Sequence, residues 1–341
     1  MTISNITDNI SNMNRRKARE IEMKKRERVI AAIQGKETDY VPTGFSLHFP
    51  AGEEHGERGI LSHLKFFEET DTDIIKIMNE NLIPDAGVIK TPHDWNQIPV
   101  YSMDDTFMLK QMDLVKRILE QADGDAFSLG TLHGICASAI HPNESRYGYE
   151  KTRELICTHL RENPAPVVEA FKRITDVLCQ LAAKYHELGL DGIYYAALGG
   201  ERHYFTDEEF AEYIEPFDKQ ILKASKDAGG INFLHMCKDN LNMDRYASYN
   251  GLADVVNWGV YETDFSLEQG RKLFPGTTVM GGLKNRSGVM VEGTIEELKE
   301  EAKKIIRDYG KTAFILGADC TLPTEIPYER IKAITDAARE V

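Results

Sequence analysis

DGIYYAALGGERHYFTDEEFAEYIEPFDKQILKASKDAGGINFLHMCKDN, residues 191–240, decides the fold. It opens on an apolar, β-rich run (DGIYYAAL, 191–198). A stretch of helical periodicity follows (DEEFAEYIEPFDKQILKASKDAGG, 207–230), and then a second apolar run (INFLHM, 231–236). Strand, helix, strand in that order is the signature of a parallel β-α-β unit.

The same alternation extends in both directions. Upstream lie VPTGFSL at 41–47, DIIKIMNE at 73–80 and AFSLGTL at 126–132. Downstream lie DVVNWGV at 254–260, TTVMGGL at 277–283 and AFILGA at 313–318. With the two runs above, that makes eight expected strands. The intervening segments are amphipathic. LICTHLRENPAPVVEAFKRITDVLCQLAAKYHELGL holds two helices, and TIEELKEEAKKIIRDYGK opens on a Thr cap and closes at Gly310. Eight strand–helix units imply an α/β protein folded as a (β/α)8 TIM barrel. The rival, a doubly wound open sheet, lacks its mark: no strand is followed by G-x-G-x-x-G, and Gly199-Gly200 and Gly281-Gly282 are only pairs. A charged helix is expected over 15–35, so the domain reading is a helical extension at 1–37 and a barrel catalytic domain at 38–341. There is no internal repeat, linker or composition break.

Composition narrows the function. The 341 residues are 42% hydrophobic and 28% charged, with a net charge of −14. A chain this acidic is a poor binder of nucleic acid or anionic membrane. The basic stretch from Arg15 to Arg28 is interrupted by Glu20, Glu22 and Glu27 and reads as a solvated helix face. The polar N-terminus carries no signal-peptide pattern, and no run of eighteen apolar residues occurs. A cytoplasmic location is therefore expected. Five cysteines, an odd number, argue against a disulfide framework.

The string that carries chemistry is FLHMCKDN, 233–240. His235 and Cys237 are two apart at a strand end, so both side chains share one face. Cys320, in LGADCTLP, follows the last expected strand. C-terminal strand ends of a barrel lie on one face, where sites are built. One imidazole and two thiolates suit zinc, and three protein ligands with one exchangeable position suit a catalytic zinc. Glu262 is the preferred fourth ligand because it lies close after its strand, and Glu201 is the alternative. Cys136, Cys157 and Cys179 read as core residues. Asn79, His133, Tyr195, Glu201 and Tyr204 are the expected substrate-binding residues. His133, Tyr195 and Tyr204 belong to a rim rich in aromatics and histidines that also holds Phe45, His48, Phe49, Tyr194, His203 and Phe205.

RERVIAAIQGKETDYVPTGF (26–45), the H-x-C of 235–237 and GADCTLP (317–323) followed by Pro327 resemble the uroporphyrinogen decarboxylase superfamily, from about residue 26 to the C-terminus. Within it, the H-x-C and late Cys resemble the corrinoid-dependent methyltransferases. These include the methylcobamide:coenzyme M enzymes and the first methyltransferases of O-demethylase systems. The resemblance implies a (β/α)8 barrel and zinc on His235, Cys237 and Cys320. Two departures matter. True decarboxylases grip porphyrin carboxylates with an arginine-rich segment after the first strand. Here VPTGFSLHFPAGEEHGERG, 41–59, has one Arg and several Glu, which argues against decarboxylation. The coenzyme M enzymes tend to carry Gly after H-x-C, where this chain has Lys238 and Asp239.

The expected activity is therefore zinc-dependent methyl transfer from a small methyl donor, an aryl methyl ether, to cob(I)alamin. Zinc would polarise the ether oxygen, and the aromatic rim would suit a methoxylated ring. The corrinoid must come in trans on a separate protein, because the chain has no D-x-H-x-x-G motif. The alternative is a methylcobalamin:thiol methyltransferase, in which zinc would present a thiolate. A non-catalytic binding protein is a third reading, opposed by the intact ligand set. A homodimer is left open.

Overall fold

The computed structural model describes residues 22–341. Among the described residues there are seven strands: β1 (Ile74–Ile77), β2 (Phe127–His133), β3 (Gly192–Ala197), β4 (Ile231–Met236), β5 (Val255–Trp258), β6 (Thr278–Leu283) and β7 (Phe314–Ala318). They form one parallel sheet in the order β1-β2-β3-β4-β5-β6-β7. Each pairs with its sequence neighbour, as successive β-α-β units require.

The run 41–47, expected as the first of eight strands, is not a strand. It reaches β7 through isolated bridges, Thr43 with Leu316 and Leu47 with Leu322. The Gly44 N–H donates to the Leu316 carbonyl at 3.1 Å, and the Leu316 N–H to the Pro42 carbonyl at 2.9 Å. On its other side the Thr43 carbonyl accepts from the N–H groups of Asp73, at 3.0 Å, and Ile74, at 3.2 Å. Pro42 has no N–H to continue a ladder. Gly44 supplies no side chain, and a Cβ there would meet Ile74 Cδ1 at 3.0 Å and Met280 Cε at 3.1 Å.

The α-helices of the described residues are α1 (Lys25–Ile33), α2 (Gly56–Thr70), α3 (Thr106–Gln121), α4 (Ile135–Tyr147), α5 (Tyr149–Glu162), α6 (Pro164–Glu187), α7 (Asp207–Tyr213), α8 (Glu215–Asp227), α9 (Leu267–Leu273), α10 (Ile295–Tyr309) and α11 (Tyr328–Ala338). The long expected stretch 155–190 divides at Asn163, and Pro164 starts α6. The stretch 207–230 also divides, at Ile214, with Pro216 opening α8. Helix α10 carries the expected Thr294–Glu297 capping box and ends at Gly310, φ +99°. None of the described helices is long and apolar enough to cross a membrane.

Of the expected 1–37 extension, residues 1–21, which include 15–21 of the expected helix, lie outside the described residues, and residues 22–37 hold helix α1. It lies across the N-terminal strand ends. Arg26 pairs with Asp191, just before β3, Arg28 with Asp39 and Asp73, just before β1, and Thr278 Oγ1 donates to the Ala32 carbonyl. Its Val29 and Ala32 join Ile74, Phe127, Phe233 and Val255 in an inner apolar cluster. That end is plugged, and open space is left at the C-terminal strand ends.

Candidate metal centre and substrate cavity

Strand β4 ends by aiming alternate residues opposite ways. Met236 is buried in the outer core, between strands and helices, while His235 and Cys237 line a cavity of about 490 Å³ at the C-terminal strand ends. Cys320, two residues past β7, lines the same cavity. The ligand atoms of His235, Cys237 and Cys320 all lie within 4.8 Å of one another. The two sulfurs are 4.0 Å apart. Two sulfurs about 2.3 Å from one tetrahedral zinc stand about 3.8 Å apart, so the pair is close to metal-binding geometry.

The imidazole is oriented for the same purpose. His235 Nδ1 lies 2.6 Å from Asn257 Oδ1. The Asn257 amide nitrogen donates to the carbonyls of Met280 (3.0 Å) and Ala318 (3.1 Å), which only accept, so the amide cannot be turned round. Its oxygen must accept, so Nδ1 of His235 carries the hydrogen and Nε2 the lone pair. Nε2 is buried without a hydrogen-bond partner among the described residues. An orphaned nitrogen beside two thiols is a donor set suited to zinc. Cys320 is the more acidic thiol: the hydrogen bond from Cys237 lowers it well below the ordinary range, and His235 adds to this.

Glu262 lines the cavity, but its carboxylate lies outside the close group of three ligand atoms. Burial raises its carboxyl, and the charge of Cys320 raises it further. Glu201 is elsewhere. It is fully buried, paired with Arg153 and accepting from the Gly199 N–H at 3.0 Å, and it does not line the cavity.

The expected substrate residues divide. His133, at the end of β2, lines the cavity, and burial pushes it down to about 4. Tyr195 does not line it; its hydroxyl donates to Asp218 among the helices, and its neighbour Tyr194 faces inward instead. Asn79 lines a small adjoining pocket and accepts from the Asn81 N–H. Tyr204 lies in an outer groove, under the Arg153 guanidinium and hydrogen-bonded to Glu150. Of the wider rim, His48 lines the cavity and its Nδ1 lies 2.5 Å from Glu80, whereas Phe45 and Phe49 are core. Cys136 and Cys157 are buried in α4 and α5, and Cys179 is half-buried in α6.

Several cavity residues went unread in the sequence: Lys76, Glu80, His141, Tyr149 and Arg286; Lys238, read there only as a departure after H-x-C, also lines the cavity. Lys76 is buried, and burial pushes it down to about 8. Burial would raise Glu80, but the hydrogen bond from His48 and nearby charges bring it below its ordinary value. Lys238 has φ +85°, a left-handed conformation that disfavours a residue with a Cβ. It lies 4.4 Å from the centre of the Tyr149 ring. The signal for Lys76 and Asn257 was present: each is a polar residue inside an otherwise apolar strand core, DIIKIM and DVVNWGV.

A family model described as uroporphyrinogen decarboxylase (URO-D) matches residues 77–341. In three dimensions the chain is similar to a methyltransferase from Methanosarcina mazei, at 16% identity and a TM-score of 0.75, over 94% of this chain and 99% of that one. It is also similar to a B12-independent methionine synthase from Shewanella sp. W3-18-1 in complex with selenomethionine, at 12% identity and a TM-score of 0.58, over 88% and 97% of the two chains. At these identities the likeness is one of fold. No curated protein matches the sequence.

Proposed function

The chain belongs to the uroporphyrinogen decarboxylase family, and from that premise we propose that it is a zinc-dependent methyltransferase that takes the methyl group of an aryl methyl ether. The scaffold in this reading is a (β/α)8 barrel whose eighth staff is the irregular segment 42–47. One observation carries the reading: the buried, unpartnered Nε2 of His235 stands within 4.8 Å of the sulfurs of Cys237 and Cys320 at the wall of a cavity.

His235, Cys237 and Cys320 would hold the metal, with Glu262 or substrate at the fourth position. When bound, zinc supplies Lewis-acid polarisation of the ether oxygen, which eases departure of the aryloxide. The chain does the rest. Asn257 fixes the His235 tautomer. Met78, Leu198 and Tyr149 offer apolar wall to the ring and exclude water from it. The neutral His133 and the His48–Glu80 pair provide polar contacts on the same wall. The methyl acceptor would be the corrinoid of a separate protein, docked at the cavity mouth. Decarboxylation of a porphyrin is disfavoured because, among the described residues, Arg286 is the sole arginine on this wall.

A second reading, methylation of a thiol from methylcobalamin, gains from one observation. Lys76, Lys238 and Arg286 all line the cavity and would suit an anionic thiol. Glu80, Glu144 and Glu262 on the same wall offset them. Zinc-loaded protein mixed with cob(I)alamin and a panel of methoxyarenes, followed by cobalt absorbance, separates the two. Methylcobalamin should form from an ether with no thiol present. Consumption of methylcobalamin by a thiol, with no transfer from any ether, would establish the second reading instead.

A further inference from the structure

Lys76 comes from the middle of β1 and is 7% exposed. Among the described residues its Nζ makes one hydrogen bond, to Ser46 Oγ at 3.1 Å, and no ion pair. It lies 3.7 Å from the centre of the Tyr194 ring. An ammonium has three donors, and a buried charge is costly unless it is paired. Two donors are left over on a side chain that lines the cavity. Tyr194 in turn stacks on His235, with ring centres 5.5 Å apart and planes at 29°. Lysine, tyrosine and histidine thus form a column that ends at the proposed ligand group. Burial opposes the charge of Lys76, while Cys320, Cys237 and Glu80 lie where they favour it. None of these forms an ion pair with it.

We propose that Lys76 is a catalytic residue that receives the departing oxygen of the substrate, its free N–H groups hydrogen-bonding the aryloxide as the methyl group leaves. This rests on the ether reading above. In the step, the bond from oxygen to methyl carbon breaks and both electrons remain on oxygen. The new bond to carbon is made with the electron pair of cob(I)alamin, whose cobalt is formally oxidised by two electrons. The aryloxide stays hydrogen-bonded to Lys76, which keeps its charge throughout, and takes one proton from solvent water as it departs as the phenol. A preorganised cation at the point where negative charge develops is the arrangement that lowers such a barrier.

The test compares zinc-loaded wild type, K76M and K76R on anisoles whose phenols span a range of acidity, with free cob(I)alamin as acceptor. K76M should lose about 10²–10³-fold in kcat on electron-rich anisoles, the size of losing one such donor. On nitro-substituted anisoles, whose leaving groups need little help, the loss should be under about tenfold, and K76R should stay within about tenfold throughout. Zinc content should not change. Binding of 4-nitrophenolate, read by absorbance without any cobalamin, should weaken at least about tenfold in K76M. A uniform loss across the anisole series, or equal nitrophenolate affinity, overturns the proposal. If wild type transfers no methyl from any ether, the ether reading falls and the catalytic role of Lys76 with it; the nitrophenolate measurement, which needs no turnover, separately decides whether Lys76 contacts an aryloxide. K76Q serves in place of K76M if the latter does not fold.

Discussion

Asn257 Oδ1 accepts from His235 Nδ1 across 2.6 Å, while the amide nitrogen of the same Asn257 is held by the carbonyls of Met280 and Ala318. Strand β5 thus orients a side chain of strand β4 using anchors on β6 and β7. Asn257→Ala should weaken zinc binding about 10–100-fold, as loss of a supporting hydrogen bond to a metal-binding His does. Competition with a chromophoric chelator measures this. Unchanged affinity would show that the histidine needs no such partner.

Cys237→Ala and Cys320→Ala should each abolish methyl transfer and deplete zinc while leaving the fold intact. Both residues stand above a core that includes neither of them as a fully buried member. Circular dichroism with metal analysis checks the pair. Unfolding of both variants would make the metal structural.

Lys238 holds a left-handed backbone, φ +85°, directly after Cys237. Glycine, which has no Cβ, reaches such a conformation without strain. Lys238→Gly should therefore stabilise the protein by about 1 kcal/mol in urea denaturation. If the strain is kept for its charge at the cavity wall, activity should fall in the same variant. A variant less stable than wild type would contradict the strain.

Asp218 is fully buried and accepts from Tyr195, Tyr249 and the Ile135 N–H, with Glu215 the nearby like charge. Burial pushes it from 3.8 up to about 7. The folded chain then keeps a proton that the unfolded chain has released. Its contribution to stability is whole below about pH 4 and is lost as pH rises to about 7, with a slope of up to about 1.4 kcal/mol per unit. Urea titrations at about pH 5 and about pH 8 should show a smaller fall for Asp218→Asn than for wild type. Equal falls would place the carboxyl at an ordinary value.

Much of the architecture was legible because period and β-branched content mark buried strands, and seven of the eight runs are strands. The run at 41–47 has the same composition, but Pro42 denies it a ladder, which composition alone does not weigh. Helix breaks at Asn163 and Ile214 followed from prolines at 164 and 216; the first was read and the second was not. Alternation placed His235 and Cys237 on one face, yet it does not say which of Tyr194 and Tyr195 points inward. That phase depends on β3 pairing in register with β4, Tyr194 beside Phe233. Glu201 and Tyr204 sit in a loop whose direction no period encodes, and the partner that takes Glu201, Arg153, comes from a helix 48 residues away.

The most direct test is zinc X-ray absorption on the purified protein, first alone and then with an aryl methyl ether or a thiol added. Two sulfurs and at least one nitrogen around about one zinc per chain is the expected resting spectrum. The ether should add at most an oxygen, and the sulfur count should stay at two. Absence of zinc after reconstitution, or a third sulfur appearing with added thiol, would contradict the assignment of this site to ether demethylation.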